Sequence, residues 1–199
     1  MDSNKLQNLA EHYSHTFNFL QKNLKKRDNL FLGLLFILAV MLFQIYSPSV
    51  ATKVISDIIG NQLSTDASVN FSYIQSIIWF ALLAVIIKYF QSVIFIERQY
   101  EYIHSLEETL NSEYGGVAFT REGKSYLSNY PAFLNWASFL YTILVPTILA
   151  TVVAAKIFIE FQQGVLGGVL GWFNSAIFVF IIISLYLYLY GIHFKPKSA

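Results

Sequence analysis

Four long apolar stretches alternate with polar segments along the chain. A membrane span needs roughly 20 mostly apolar residues to cross about 30 Å of hydrocarbon. Residues 29–47 (NLFLGLLFILAVMLFQIYS) make the first candidate, closed by Pro48. Residues 73–96 make the second and contain one charge, Lys88. Residues 132–158 make the third, with Pro146 in the middle and Lys156 near the end, and residues 171–191 make a fourth with no formal charge. The expected fold is an all-α integral membrane protein with four transmembrane helices.

The polar segments have patterns of their own. Within residues 1–28, Leu6, Leu9, Tyr13, Phe17, Leu20 and Leu24 recur in steps of three and four, the signature of an amphipathic helix. That helix lies on the membrane surface, or packs on sister subunits or a soluble partner. Lys22, Lys25, Lys26 and Arg27 follow it and suit anionic headgroups. Residues 97–131 open with ERQYEYIHSLEETLNSEY, which continues the second span as one long helix. Ile96, Tyr100, Ile103, Leu106 and Leu110 carry the apolar stripe of this stalk, and Glu97, Glu101, Glu107, Glu108 and Glu113 make the rest acidic. Gly115-Gly116 is a helix stop, and residues 117–130 suggest a small hairpin. Glu101, Glu107, Glu108, Arg121 and Lys124 are the expected docking residues for a partner.

The connections at residues 48–72 and 159–170 lie on the other side. The first contains an amphipathic stretch, Val50, Val54, Ile55, Ile58 and Ile59, which lies on the outer membrane surface or caps the bundle. The second is glycine-rich. If helical, Gly164/Gly168 and Gly167/Gly171 provide two small-xxx-small packing spacings for oligomer contacts. Otherwise it is a flexible turn.

Composition sharpens this picture. Charged residues are 13% of the chain and hydrophobic residues 55%, against about 25% charged in a soluble domain. This excludes intrinsic disorder and disfavours a water-soluble globule. The net charge of +1 offers no basic footprint for nucleic acid. With no cysteine, disulfides, thiolate metal sites and Cys nucleophiles are excluded. The first apolar stretch follows a long polar segment, which is not the layout of a cleavable signal.

Where the charges fall matters more than how few they are. Ten of the 13 basic residues lie in residues 1–28, 97–131 and the tail 192–199, and Lys53 alone lies in the opposite set. The positive-inside rule then places both termini in the cytoplasm. Trp172 and Phe173 at one end of the fourth span, and Tyr186, Tyr188 and Tyr190 at the other, suit the two interfaces.

Ionisable and helix-breaking residues within spans are the candidates for chemistry. Lys88 and Gln91, one turn apart, line a pore or bundle interior, unless the helix leaves the membrane near Lys88. Pro146 kinks the third span, whether as a hinge or as a static bend. Lys156, four residues before Glu160, is expected to snorkel to the outer surface and pair weakly with it. Gly123-Lys124-Ser125 lacks the upstream glycine of a phosphate-binding loop, where Ala118 stands instead. His104 has acidic neighbours but no second His or Cys, and a solvated face explains it. No catalytic, cofactor or metal site is expected, and the chain reads as non-enzymatic.

Three of these features taken together carry a resemblance. The polar helix before the first span, RQYEYIHSLEETL after the second and FTREGKSYLSNYPAFLNW entering the third resemble the KwaA family, membrane subunits of the Kiwa anti-phage defence system. The chain is also similar in style to the two-span SLATT effectors, from which its four spans depart. The KwaA resemblance implies a bacterial inner-membrane homo-oligomer, for example a tetramer. It would sense infection and work with a soluble partner of the KwaB type, without itself binding nucleic acid. Two alternatives stay open: a pore-forming effector that depolarises the membrane, and a small transporter, which lacks the expected inverted repeat.

Overall fold

The computed structural model describes residues 3–63, 71–116, 136, 139–164 and 167–193. Its helices are α1 (Ser3–Tyr46), α2 (Pro48–Leu63), α3 (Phe71–Tyr114), α4 (Val145–Gln162) and α5 (Val169–His193), with a π-helical turn at Leu140–Leu144 leading into α4. Four of them are long and apolar enough to cross a membrane. That architecture is compatible with a multi-pass membrane protein. The suggested hairpin at residues 117–130, with Arg121 and Lys124, lies outside the described residues, as does the tail beyond His193.

The polar segment at residues 1–28 is not a separate helix. It belongs to α1, which runs unbroken for 44 residues, and α3 has the same length. Neither has an internal proline, and α3 has no glycine, so nothing in the sequence interrupts the backbone ladder. Both stop at recognisable signals. Pro48 opens α2 one residue beyond Tyr46, and the Ser47 carbonyl accepts the Ala51 amide at 2.9 Å. Gly115, with φ 77°, closes α3 by donating its N–H to the Asn111 carbonyl at 3.1 Å. At a rise of about 1.5 Å per residue, each long helix measures roughly 66 Å, about twice the hydrocarbon thickness.

The chain divides into two compact units, residues 1–30 with 89–140 and residues 31–88 with 141–199. The boundaries fall inside α1 and inside α3.

The first unit is an antiparallel helical hairpin. Lys5 pairs with Glu113. The Tyr13 hydroxyl donates to Glu107 at 2.8 Å, and the Phe19 and Phe95 rings meet edge to face at 6.0 Å. Partners that rise along α1 fall along α3, which defines the direction. Leu20, Ile96 and Ile103 form the core, with Tyr13 and Leu24 packed against it. On α3, Tyr89, Ile96, Ile103 and Leu110 are buried at intervals of seven, with Leu106 between the last two. This heptad spacing keeps one seam facing α1, as in a coiled coil. The amphipathic stripe of α1 is therefore covered by the chain's own stalk.

The second unit has the opposite polarity of a soluble domain. Large apolar side chains point outward, among them Leu32, Phe36, Ile77, Trp172, Phe180 and Leu187, all more than half exposed. Contiguous apolar surface of this extent is rare on a protein that faces water. Its hydroxyls bond inward instead: Thr147, Thr151, Ser175 and Ser184 each donate to the carbonyl four residues earlier, at 2.7–2.9 Å. That pairing lets a helix carry a hydroxyl where no water is at hand. α4 and α5 pack against each other. Pro146 lies within the continuous helical stretch Leu140–Gln162, directly after its π-helical turn, where the missing N–H loosens the hydrogen-bond ladder. Apolar helix continues past residue 158 to Gln162, and Gly164, with φ 71°, ends it.

Leu20→Ala should remove about 2–5 kcal/mol of local stability, because it empties a fully buried position. Tyr13→Phe should remove about 1–3 kcal/mol, the range for a hydrogen bond to a carboxylate. Amide hydrogen exchange would show both strands of the hairpin loosening together. Faster exchange confined to residues 3–30, with 96–114 unaffected, would contradict the pairing.

Candidate functional site

Two arrangements of polar side chains stand out, one in each unit. The first lies among the apolar helices. Glu160, in the last turn of α4, is fully buried, and Lys156, one turn earlier, is 3% exposed. Their charged atoms are 3.5 Å apart. Two further donors reach the same carboxylate from other helices. Trp79 of α3 donates its indole N–H to Oε1 at 3.0 Å, and Asn174 of α5 donates Nδ2 to Oε2 at 3.1 Å. Trp79 also meets Phe178 of α5 edge to face at 6.5 Å. A single carboxylate thus ties three helices together.

Position in the chain explains why these residues meet. Glu160 is two residues from the end of α4, Asn174 is early in α5, and only a tight glycine turn separates the helices. The i, i+4 spacing of Lys156 and Glu160 stacks them on one face. With Trp79 added from α3, that face becomes the interior. Lys156 therefore does not snorkel outward as expected; it is enclosed with its partner. An ion pair in such a place gains little net stability, because desolvation of both charges opposes their attraction. Its effect is to make removal of either partner costly.

The cluster has unused capacity. Asn174 Oδ1 is buried and has no hydrogen-bond partner among the described residues. Gln44, three residues before the break at Ser47, is 2% exposed, and neither its Oε1 nor its Nε2 finds a partner among the described residues. Gln75 and Ser76, in the opening turns of α3, are buried as well. Gln44, Gln75, Ser76, Lys156, Glu160 and Asn174 all lie toward the helix ends joined by α2 and by the glycine turn. At those ends the interior of the unit is polar.

The residues expected to be interior behave differently. Lys88 and Gln91 are exposed; Lys88 ends the 31–88 segment of the apolar unit, and Gln91 belongs to the hairpin unit. Neither lines the interior of this chain's bundle, whereas Pro146 is buried. The glycine spacings do not form a seam on one helix. Gly164 has left-handed φ and terminates α4, Gly167 and Gly168 precede α5 proper, and only Gly171 is a buried helical residue. A Cβ added at Gly164, Gly167 or Gly168 would meet nothing within 4 Å. Within this chain Gly164, Gly167 and Gly168 therefore belong to the turn that follows α4.

The second arrangement is the acidic face of the hairpin. Glu101 and Glu108 are exposed on α3. Glu107 is not available in the same way: it is 2% exposed and accepts the Tyr13 hydroxyl. Its heptad neighbours Ile103 and Leu110 turn it into the seam. His104 lies 3.6 Å from Glu108, and His12 meets the Tyr102 hydroxyl at 2.8 Å. Lys22, Lys25 and Lys26 are exposed along α1, while Arg27 is half-buried and pairs with Asp28 at 2.7 Å. A basic stretch of α1 and an acidic stretch of α3 thus belong to one hairpin.

The buried carboxylate of Glu160 is the part least visible in the sequence. The i, i+4 spacing of Lys156 and Glu160 was the available signal, but proximity to the end of an apolar stretch argued for exposure. Comparison with protein-family models, curated proteins and solved structures returned no match to this chain.

Glu160→Leu should destabilise the apolar unit by about 3–5 kcal/mol, since it leaves Lys156 buried without its counter-charge. Lys156→Met combined with Glu160→Gln should recover most of that loss, because glutamine still offers an acceptor to Trp79. Thermal unfolding in detergent would measure both variants. Equal losses in the two would show that the pair is not coupled.

Proposed function

We propose that the chain is a non-enzymatic, multi-pass component of the bacterial inner membrane, with both termini cytoplasmic, that senses phage infection and docks a soluble effector. The observation that carries the docking part is the hairpin. α1 and α3 both outrun any single membrane crossing, and their extensions satisfy each other along an apolar seam. The outer faces carry exposed charge, Glu101 and Glu108 on one helix and Lys22, Lys25 and Lys26 on the other, and form the proposed docking surface. Such faces favour specificity and rapid encounter.

The unit boundary supports a particular membrane level. From Phe71 to Lys88 is about 18 residues, or roughly 27 Å of helix, enough to cross the hydrocarbon. The Lys88 amine then reaches the headgroups, and the apolar residues that follow belong to the hairpin seam. The basic cluster ends at Arg27, three residues before the other boundary at Leu30. Both features agree with the positive-inside assignment. The anti-phage setting rests on the resemblance to the KwaA family, and the effector is of the KwaB type.

One observation favours a second reading. Lys88 and Gln91 are exposed on the flank of α3, so in a homo-oligomer, for instance a tetramer, they would face a conduit between copies. The chain would then act as a pore that depolarises infected cells.

Because the chain has no cysteine, single-cysteine variants report orientation directly. Ser14→Cys and Ser105→Cys should react with a membrane-impermeant maleimide only after permeabilisation, and Lys53→Cys in intact spheroplasts. The reverse pattern would overturn the orientation. Glu101→Lys with Glu108→Lys should weaken co-purification of a KwaB-type effector by at least about tenfold, equivalent to roughly 1.4 kcal/mol of binding, and lower protection against phage. Unchanged co-purification and protection would eliminate docking on this face. Ion flux into proteoliposomes that disappears with Lys88→Leu would support the pore instead.

A further inference from the structure

The helix α2 is not explained by spanning or by docking. It begins one residue after α1, and helical hydrogen bonds lie on both sides of the break: Ser47 N–H to the Phe43 carbonyl and Ala51 N–H to the Ser47 carbonyl, each 2.9 Å. Pro48 has no N–H, so the ladder is broken there and the axis is free to bend. Ala51 is fully buried, whereas Lys53 and Asp57, four residues apart, are exposed. Beside that polar line, Val50, Val54 and Ile58 are 53%, 42% and 58% exposed. Steps of four advance about 40° around a helix, so the three form one narrow apolar stripe. The same spacing reaches back across the break to Tyr46 and Leu42, both exposed, on α1.

We propose that α2 lies along the lipid–water interface, with Val50, Val54 and Ile58 among the acyl chains and Lys53 and Asp57 toward water. The inference rests on reading the apolar unit as membrane-embedded. Two observations select lipid as the occupant. The stripe follows directly along the chain from the exposed apolar end of α1, at Leu42 and Tyr46. The buried polar residues of the unit gather at the end from which α2 departs, among them Gln44, whose amide has no partner among the described residues. That end is where hydrocarbon gives way to headgroups, because unpaired amides are costly in the hydrocarbon itself. A second copy of the chain is a poorer occupant. Three aliphatic side chains supply far less than the roughly 800 Å² per partner of a stable interface. An amphipathic helix with one apolar flank and one charged flank matches the surface-lying class.

The test attaches an environment-sensitive fluorophore to Val54→Cys, Ile58→Cys, Lys53→Cys and Asp57→Cys, one per chain, with Ile77→Cys as a control within a span. The full chain is reconstituted in vesicles of phosphatidylcholine and phosphatidylglycerol. Nitroxide lipids labelled near the headgroup should quench positions 54 and 58 at least about twofold more than positions 53 and 57. Aqueous iodide should show the opposite order. Equal iodide quenching at all four sites, with position 77 still quenched by lipid, overturns the proposal alone. Loss of lipid quenching at position 77 overturns the membrane reading beneath it. Strong spin–spin broadening between nitroxides attached at Val54→Cys, absent on dilution with unlabelled chain, assigns the stripe to a second copy and also overturns the proposal.

Discussion

A carboxylate enclosed among apolar helices has to bring its hydrogen-bond donors with it. Glu160 draws them from three helices: the ammonium of Lys156 on its own helix, the indole of Trp79 and the amide of Asn174. Elsewhere in that unit, packing is mostly by apolar contact, and apolar contact is poorly directional. Hydrogen bonds to one buried charge are directional and expensive to break. They pin α3, α4 and α5 in register at one end of the unit, and the turn from Gly164 makes the pairing of the last two possible.

The hairpin unit rests on a different constraint. Helices of 44 residues cannot bury their whole length in a bilayer, so the excess must find an apolar partner or face water. Each extension solves the problem for the other. The heptad spacing from Tyr89 to Leu110 is matched by the stripe through Tyr13, Leu20 and Leu24, and the pair Tyr13–Glu107 provides polar register within the seam. A buried polar contact of this kind costs some stability and restricts sliding. The function proposed for the chain draws on that division of labour: one unit suited to lipid, the other presenting charged faces held in register.

Some of this was legible from single residues. Pro48 and Gly115 marked the ends of the two long helices because their backbone chemistry acts locally. The acidic stalk was visible as a continuation of the second apolar stretch. The docking residues were only partly legible. Glu107 looks equivalent to Glu101 and Glu108 along the chain, and only its place on the seam side withdraws it. Lys156 misleads for a similar reason: its closeness to the end of the apolar stretch points to exposure, whereas the fold encloses it. For Lys88 the sequence leaves open an interior position or a helix that emerges there, and the residue is exposed; an apolar neighbourhood in sequence does not say which face of a helix a residue occupies.

By itself the sequence determined the helical character, the four apolar stretches, the amphipathic stripes and the asymmetry of basic charge, all of which follow from side-chain chemistry repeated at helical period. Only the tertiary structure decided what each stripe meets. It paired the stripe of α1 with the stalk of α3, gathered the polar residues of the apolar unit at one end, and left one flank of α2 uncovered. The reason is physical: periodicity specifies that a face must be buried, but it is silent about the partner, and the partner is chosen by the summed geometry of the whole chain.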